Sequence, residues 1–305
     1  MNFAKQLLQS ALSRAGYTAL RSTTLYRMRC ELVESKDMLE ALRARCQALE
    51  AECEASRMQS MASENRVHEL EGRLGSFPDL PPEPQLDHEF AQVELAGAAL
   101  QKLLKEYQFH SVLDIGAGAL AHSKVFAQHR KAVTAVDFGT SIYNQHKVST
   151  KAGEILEVIG DYNQICFAEK FDCVWASHVL EHQLNVHDFL RKAIDDLREG
   201  GVLAISVPPL KHEIVGGHAS LWNAGLLLYR LVLAGMDCSS AKVLSYGYNI
   251  SVIVEKRGSV DLQQIGLDFD AGDIRRIRPY LPPNLPFRPN RFDDPFDGHL
   301  INVDW

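Results

Sequence analysis

The sequence predicts a doubly wound α/β domain preceded by a long coiled-coil helix. In the middle of the chain, short apolar runs alternate with amphipathic segments, the pattern of a parallel sheet with helices on both faces. Ahead of it, apolar residues recur every three and four positions over residues 25–74, the period of a coiled coil. A proline-rich linker at residues 75–88 separates the two parts.

The composition is that of a globular protein and excludes several classes of function. The chain has 305 residues, of which 46% are hydrophobic and 23% are charged. A formal net charge of −7 disfavours a general basic surface, so we expect no nucleic-acid partner. The six cysteines form no Cys-x-x-Cys pair, and we find no metal-ligand spacing. No apolar run is long enough to span a bilayer, so we expect a soluble cytoplasmic protein.

Residues 1–24 predict a basic amphipathic helix. Residues 1–30 contain lysine and arginine but no acidic side chain, and small or apolar residues recur at helical spacing. Three interpretations stay open. The helix packs on its own protein, or residues 1–20 lie on an anionic membrane surface, which would make the protein peripheral to the membrane. The third interpretation is a mitochondrial transit peptide.

The coiled-coil seam of residues 25–74 predicts self-association. Every seam position is apolar, a cysteine or a serine, and none is charged. The flanking charges favour a parallel, in-register pairing, because the pairs that would face each other are attractive: Glu31 with Lys36, Arg45 with Glu50, Glu52 with Arg57, and Arg66 with Glu71. The alternative is a single long helix folded back on its own domain.

The globular domain is predicted at residues 89–258, followed by a proline-rich C-terminal tail at 259–305. Helical periodicity marks residues 90–107, 121–130, 186–198 and 221–234. Short apolar runs predict strands at residues 111–115, 132–136, 154–159, 171–176, 202–207, 241–246 and 250–255. Such alternation places a ligand crevice at the carboxyl ends of the strands. The aromatic tail either covers this crevice or wraps the domain.

The first strand is followed by a glycine turn, Gly116-Ala117-Gly118, that could bring the backbone close to a ligand. Alone, the turn is a weak match to the dinucleotide-binding pattern. Asp114 argues against a dinucleotide ligand, because a carboxylate here would repel a pyrophosphate and favour a cationic ligand.

Acidic residues also end the next two strands. Asp137 and Phe138 follow the second strand, and Asp161 and Tyr162 follow the third. A carboxylate at the end of the second strand can accept hydrogen bonds from a ribose diol. Together these positions suit a ribose, an adenine and a sulfonium or ammonium group better than a diphosphate.

Over residues 89–256, the sequence resembles the class I S-adenosylmethionine-dependent methyltransferases. The resemblance is carried by residues 112–118, Asp137, Gly160-Asp161, 171–182 and 198–203, and the Ser-His-Val-Leu-Glu-His run at 177–182 is its most specific part. It implies S-adenosylmethionine as the cofactor and a seven-stranded sheet with an antiparallel last strand. It also implies that the cofactor contacts the glycine turn and Asp114. The ribose would lie at Asp137, beside Phe138. The adenine would lie near Asp161, with Tyr162 and Ser177 as further contacts. One departure is Leu120, which replaces the family's usual third glycine.

Histidines are the candidates for a general base. Methyl transfer is an in-line displacement, and an oxygen nucleophile benefits from a base with a pKa near neutrality. We expect His178 or His218 in this role, with His182 next. Pro208-Pro209 follow the fifth strand, so they do not match the motif of amino-methylating enzymes, and Ser177-His178 fits an oxygen acceptor better.

Three hypotheses for function follow. The leading one is O-methylation of a small-molecule or glycan hydroxyl, because a helical stalk before a methyltransferase domain looks similar to bacterial enzymes that modify surface glycans. The second is a nicotinamide-dependent oxidoreductase, which Asp114 argues against. The third is a catalytically inactive oligomeric scaffold or chain-length ruler.

Overall fold

The computed structural model describes residues 6–7, 9–15, 27, 36, 38, 40–49, 81–140 and 155–305. The chain divides into two compact units, residues 1–78 and 79–305. In the first unit, residues 9–15 and 40–49 are helical and exposed. Most of the predicted coiled coil lies outside the described residues, so its parallel pairing stays a prediction. None of the described helices is both long and apolar enough to cross a membrane.

Within residues 81–140 and 155–305, the second unit forms one eight-stranded sheet in the order β3-β2-β1-β4-β5-β7-β6-β8. The strands are β1 (Ser111–Ile115), β2 (Ala132–Asp137), β3 (Ile155–Ile159), β4 (Phe171–Ser177), β5 (Leu197–Val207), β6 (Lys242–Tyr246), β7 (Asn249–Glu255) and β8 (Asn302–Val303). The first five are parallel, and β7 runs antiparallel to both β5 and β6. This confirms the doubly wound sheet with an antiparallel seventh strand. The tail adds an eighth strand to the seven expected, because β8 pairs antiparallel with β6.

The helices in this unit are α1 (His88–Ala91), α2 (Gly97–Glu106), α3 (Ala121–Gln128), α4 (Val186–Asp196), α5 (Ala224–Leu233), α6 (Leu262–Ile265) and α7 (Asp273–Ile277). The single helix expected at 90–107 is instead two helices. Ala96 has a left-handed backbone, with φ of 56°. A Cβ at Gly97 would lie 2.5 Å from the carbonyl oxygen of Phe90, so the chain turns tightly where the periodicity alone suggested continuity.

Two apolar layers cover the faces of the sheet, and β1 shows how its residues divide between them. Leu113 and Ile115 point into the layer that contains Leu227 of α5, whereas Val112 points into the opposite layer with Phe126 of α3. Because β1 to β5 are parallel, their carboxyl ends meet at one edge of the sheet, and this edge holds the predicted crevice.

The C-terminal tail packs on the domain. Phe287 and Phe296 contact each other and join the layer that contains α5. Gly225 at the start of α5 donates its N–H to the carbonyl oxygen of Gly298 over 3.0 Å. The tail therefore lies along α5 and the β6 edge of the sheet.

Candidate active site

The turn after β1 has a backbone that requires glycine. Gly116 and Gly118 have φ values of 72° and 48°, in the left-handed region. Gly116 donates its N–H to the carbonyl oxygen of Val136 over 2.8 Å. A Cβ at Gly116 would lie only 2.2 Å from Val179 Cγ2, in the loop that follows β4. The turn is thus held close to β2 and to the β4 loop.

Asp137, at the end of β2, closes this turn. Its Oδ2 accepts the Gly118 N–H over 2.9 Å, and its Oδ1 accepts the Gly139 N–H over 2.8 Å. A carboxylate at this position can also face the ribose hydroxyls of a bound nucleoside. Phe138 follows with 57% of its surface exposed, and Ala117 lies partly exposed within the turn.

Asp114 is placed differently from expectation. It is 1% exposed and points under α3, where its Oδ2 accepts a hydrogen bond of 2.5 Å from Ser123 Oγ. Burial raises the pKa of Asp114 to about 7, the Ser123 hydrogen bond opposes this rise, and Asp137 adds to it. The Asp114 side chain is therefore buried against α3 and closed off from direct ligand contact.

Beyond β3, only one of the two predicted side chains faces the crevice edge. Asp161 is partly exposed, and its Oδ1 accepts hydrogen bonds from the main-chain and side-chain nitrogens of Asn163. Tyr162 is buried, its ring contacts Phe189, and its hydroxyl donates to Asp196 Oδ2 over 2.8 Å. Its side chain therefore belongs to the core, and burial raises the pKa of its phenol.

Leu120 occupies the third-glycine position with the backbone that a glycine there would adopt. Its φ is 65°, and its side chain is 3% exposed. A left-handed conformation costs an L-residue about 1–2 kcal/mol. The buried side chain offsets this cost through its contacts, so the turn keeps its shape without the glycine.

His178 follows β4 directly, after Ser177. Its φ of 55° is in the left-handed region, which is strained for a residue with a Cβ. Its Nε2 lies 3.0 Å from Asn249 Oδ1, which also accepts the Ala96 N–H. Because Oδ1 is an acceptor, Nε2 carries the proton and Nδ1 holds the lone pair in the neutral ring. Nδ1 lies 3.5 Å from Glu181 Oε1.

Glu181 was not selected from the sequence, although it lies within the run that carries the family resemblance. It is 1% exposed, and its Oε1 lies 3.5 Å from His178 Nδ1 and 3.9 Å from His182 Nε2. Its carbonyl oxygen accepts the N–H groups of Ala219 and Ser220. The loop that contains His218 is therefore anchored to residue 181.

The three predicted histidines are grouped around Glu181. The rings of His182 and His218 meet edge to face, with centroids 5.0 Å apart. Burial lowers the pKa of His218, and the nearby Glu181 opposes this shift. His218 also lines a shallow, solvent-open depression together with Trp222 and Tyr248. The structure thus brings together residues that are far apart in the sequence.

The domain is similar to known methyltransferases. A family model described as a methyltransferase domain matches residues 87–232. No curated protein is similar enough in sequence to match. Among solved structures, one similar chain is the S-adenosylmethionine-dependent methyltransferase SibL in its apo form, with 18% identity and a TM-score of 0.42 over 52% of this chain and 55% of that chain. This chain therefore spans about half the length of SibL.

Two further solved structures are similar at the same level. A putative methyltransferase in complex with the Trm112 activator from Haloferax volcanii has 13% identity and a TM-score of 0.42, over 56% of this chain and 87% of that chain. A putative methyltransferase from Bacillus halodurans C-125 has 21% identity and a TM-score of 0.39, over 48% and 68%. From the family match and the sheet topology together, we conclude that the chain carries a class I, S-adenosylmethionine-dependent methyltransferase domain at residues 87–232.

Proposed function

We propose that this domain transfers a methyl group from S-adenosylmethionine to a hydroxyl oxygen, with a sugar of a glycan as the favoured acceptor class. One observation carries the choice of an oxygen acceptor. His178 is held at the end of β4 with its Nε2 on Asn249 and its Nδ1 facing the buried Glu181. This is the arrangement of an oriented general base.

The crevice edge fits the cofactor. S-adenosylmethionine supplies an electrophilic methyl group on a positively charged sulfur. Gly118 has no side chain that could hinder a ligand at the turn. Asp137 and Asp161 are partly exposed at the ends of β2 and β3, where they would meet the ribose hydroxyls and the adenine amino group. Acidic groups along this edge favour a cationic ligand over a diphosphate.

His178 would take the proton of the acceptor hydroxyl as the new oxygen–carbon bond forms. Since Nε2 donates to Asn249, the lone pair of the neutral ring is on Nδ1. Nδ1 lies 3.5 Å from Glu181 Oε1, so the proton would arrive beside this carboxylate. The strained backbone of His178 directs the ring toward these partners.

The acceptor side has the polarity that a sugar needs. The depression is lined by Trp222, Tyr248 and His218, so it combines aromatic surface with polar groups. Within the described residues, the buried atoms Ser220 Oγ and Trp222 Nε1 have no hydrogen-bond partner. Such groups are costly unless they are satisfied, so they mark this loop as a place where a small rearrangement could bring in a hydroxyl partner. Pro208 and Pro209 follow β5, so the paired prolines of amino-methylating enzymes do not lie at the end of β4. That position is taken by Ser177 and His178, which suit an oxygen acceptor better.

The assembly of the chain is a separate part of the proposal. Self-association through residues 25–74 would hold several domains together, and residues 1–20 would bring them to a membrane surface where glycans are built. Both proposals rest on the periodicity and charge of the sequence.

The test is methyl transfer from radiolabelled S-adenosylmethionine by the full-length protein to parallel panels of sugars, phenols and amines. We expect label on sugar hydroxyls. We expect His178→Ala to lower kcat by about 10²–10⁴-fold, the usual contribution of a general base, with unchanged affinity for S-adenosylhomocysteine. His110→Ala is the matched control, because His110 is exposed and precedes β1 at the opposite end of the sheet.

The other hypotheses give different results. Label on amines alone, or an unchanged kcat in His178→Ala, would contradict O-methylation with this base. Binding of S-adenosylhomocysteine without turnover on any acceptor would support the scaffold hypothesis. Binding of a nicotinamide cofactor without S-adenosylhomocysteine would support the oxidoreductase.

A further inference from the structure

We propose that Glu181, His182 and His218 form a binding site for a divalent transition-metal ion beside the acceptor-side depression. The sequence shows no metal-ligand spacing, because His218 is on a different loop from the adjacent pair Glu181-His182. In the folded chain, one ligand atom from each residue lies within 4.8 Å of the other two. This geometry allows all three to bind one ion after small side-chain movements.

The ring of His182 is already oriented as in a metal ligand. Its Nδ1 lies 2.8 Å from the carbonyl oxygen of Gly217. A carbonyl only accepts hydrogen bonds, so Nδ1 carries the proton and the lone pair lies on Nε2, which is 3.9 Å from Glu181 Oε1. Metal-binding histidines commonly donate their other N–H to a backbone carbonyl in this way, which fixes both the tautomer and the ring.

Gly217 makes this close approach possible. Its φ is 83°, and a Cβ there would lie 3.1 Å from His182 Nδ1. The same loop is tied to residue 181 by the N–H groups of Ala219 and Ser220, which both donate to the Glu181 carbonyl oxygen. The backbone therefore holds His182 and His218 in place next to the carboxylate.

Glu181 supplies a second, independent observation. It is 1% exposed, and its Oε2 is buried with no hydrogen-bond partner among the described residues. A buried carboxylate oxygen without a partner is costly. His178 faces Oε1 and does not account for Oε2. A bound cation would provide the missing partner.

The ligand set favours a particular class of ion. One carboxylate and two imidazoles that leave positions open suit Zn²⁺, Co²⁺, Mn²⁺ or Fe²⁺, whereas Mg²⁺ and Ca²⁺ prefer oxygen ligands. Since His218 also lines the acceptor-side depression, an open position could bind the acceptor hydroxyl. This role rests on the proposed function, but binding of the ion does not.

The experiment uses the full-length protein after treatment with a chelator. Co²⁺ is titrated and followed by visible absorption, and Zn²⁺ is titrated by calorimetry. We expect about one equivalent of high-affinity ion with nitrogen and oxygen ligation. We expect His182→Asn and His218→Asn to weaken binding at least about tenfold, and His110→Asn to leave it unchanged. His182 is 44% exposed, so its replacement tests the site without disturbing the core.

Three results would overturn the proposal: no uptake by the unmodified protein, equal affinity in all variants, or a strong sulfur-to-cobalt charge-transfer band that the histidine variants leave unchanged. Methyl transfer measured in parallel separates the two proposals. Turnover that persists without metal uptake rejects the metal site alone. Metal uptake without turnover on any acceptor rejects the proposed function alone.

Discussion

Gly118 donates its main-chain N–H to Asp137 Oδ2 over 2.9 Å, which joins the glycine turn after β1 to the carboxylate at the end of β2. These two features were separate motifs in the sequence. In the structure they form one unit, because Asp137 also accepts the N–H of Gly139. The carboxylate therefore ties the glycine turn to the end of β2.

Replacing Asp137 with alanine should weaken binding of S-adenosylhomocysteine by about 1–3 kcal/mol, the scale of lost hydrogen bonds to a charged group. The loss has two sources: the contacts with the ribose and the order of the Gly118 turn. Calorimetric titration of the variant and the unmodified chain measures it, with NAD titrated beside it.

The control is Asp195→Ala, which removes an exposed carboxylate on α4. We expect its affinity to match that of the unmodified chain. An Asp137→Ala protein that binds S-adenosylhomocysteine as tightly as this control would show that the ribose site lies elsewhere.

Gly116→Ala tests whether the glycine turn needs space as well as a left-handed backbone. Gly200→Ala is its matched control, since Gly200 has nearly the same φ, 71°, but nothing lies within 4 Å of its added Cβ. Both variants should lose about 1–2 kcal/mol of stability from backbone strain. Gly116→Ala should lose more, because its Cβ meets Val179, and should also bind S-adenosylhomocysteine more weakly.

Urea unfolding and calorimetry on both variants measure these effects. If the two variants are equally stable and bind S-adenosylhomocysteine equally well, the close contact between the turn and Val179 contributes neither to stability nor to cofactor binding.

Most of the sheet could be predicted because its strands contain short, mainly apolar runs, several of which end at glycine or aspartate. β1 (Ser111–Ile115) matches its predicted bounds, and five others match within one residue. β5 begins at Leu197, five residues before its predicted start and within the segment predicted to be the end of a helix. β8 was missed because two residues, Asn302 and Val303, carry no periodicity. Its position depends on pairing with β6, which is a long-range contact.

The candidate site could be predicted only in part, for a similar reason. The carboxyl ends of parallel strands meet, so His178 and Asp137 could be placed at the crevice from the sequence. Whether a given side chain is buried or exposed is harder to predict from the sequence. Asp114 and Tyr162 end up buried, because one faces α3 and the other packs on Phe189. The cluster around Glu181 depends on a loop whose path no local pattern gives.

Removal of residues 1–75 should leave a folded, monomeric domain, since residues 79–305 form a compact unit. Sedimentation of the full and shortened chains measures the change in mass. A seam variant, Leu42→Glu, should dissociate the full chain in the same way, whereas Arg43→Glu, beside the seam, should not. A shortened chain that still associates would show that the predicted coiled coil is not the assembly element.

Asp114→Asn should change how stability depends on pH. The pKa of Asp114 is raised from 3.8 to about 7 by burial, so between pH 4 and 7 the unfolded chain releases this proton while the folded chain retains it. The folded state then binds more protons, and stability falls as pH rises through this window, at up to about 1.4 kcal/mol per pH unit.

Asparagine cannot ionise but can still accept the Ser123 hydrogen bond. The stability of Asp114→Asn relative to the unmodified chain should therefore rise from pH 4 to 7 and stay constant above it. Urea unfolding of both proteins across this range gives the difference. Parallel curves for Asp114→Asn and the unmodified chain would mean that the Asp114 carboxylate is ionised in the folded protein throughout this range.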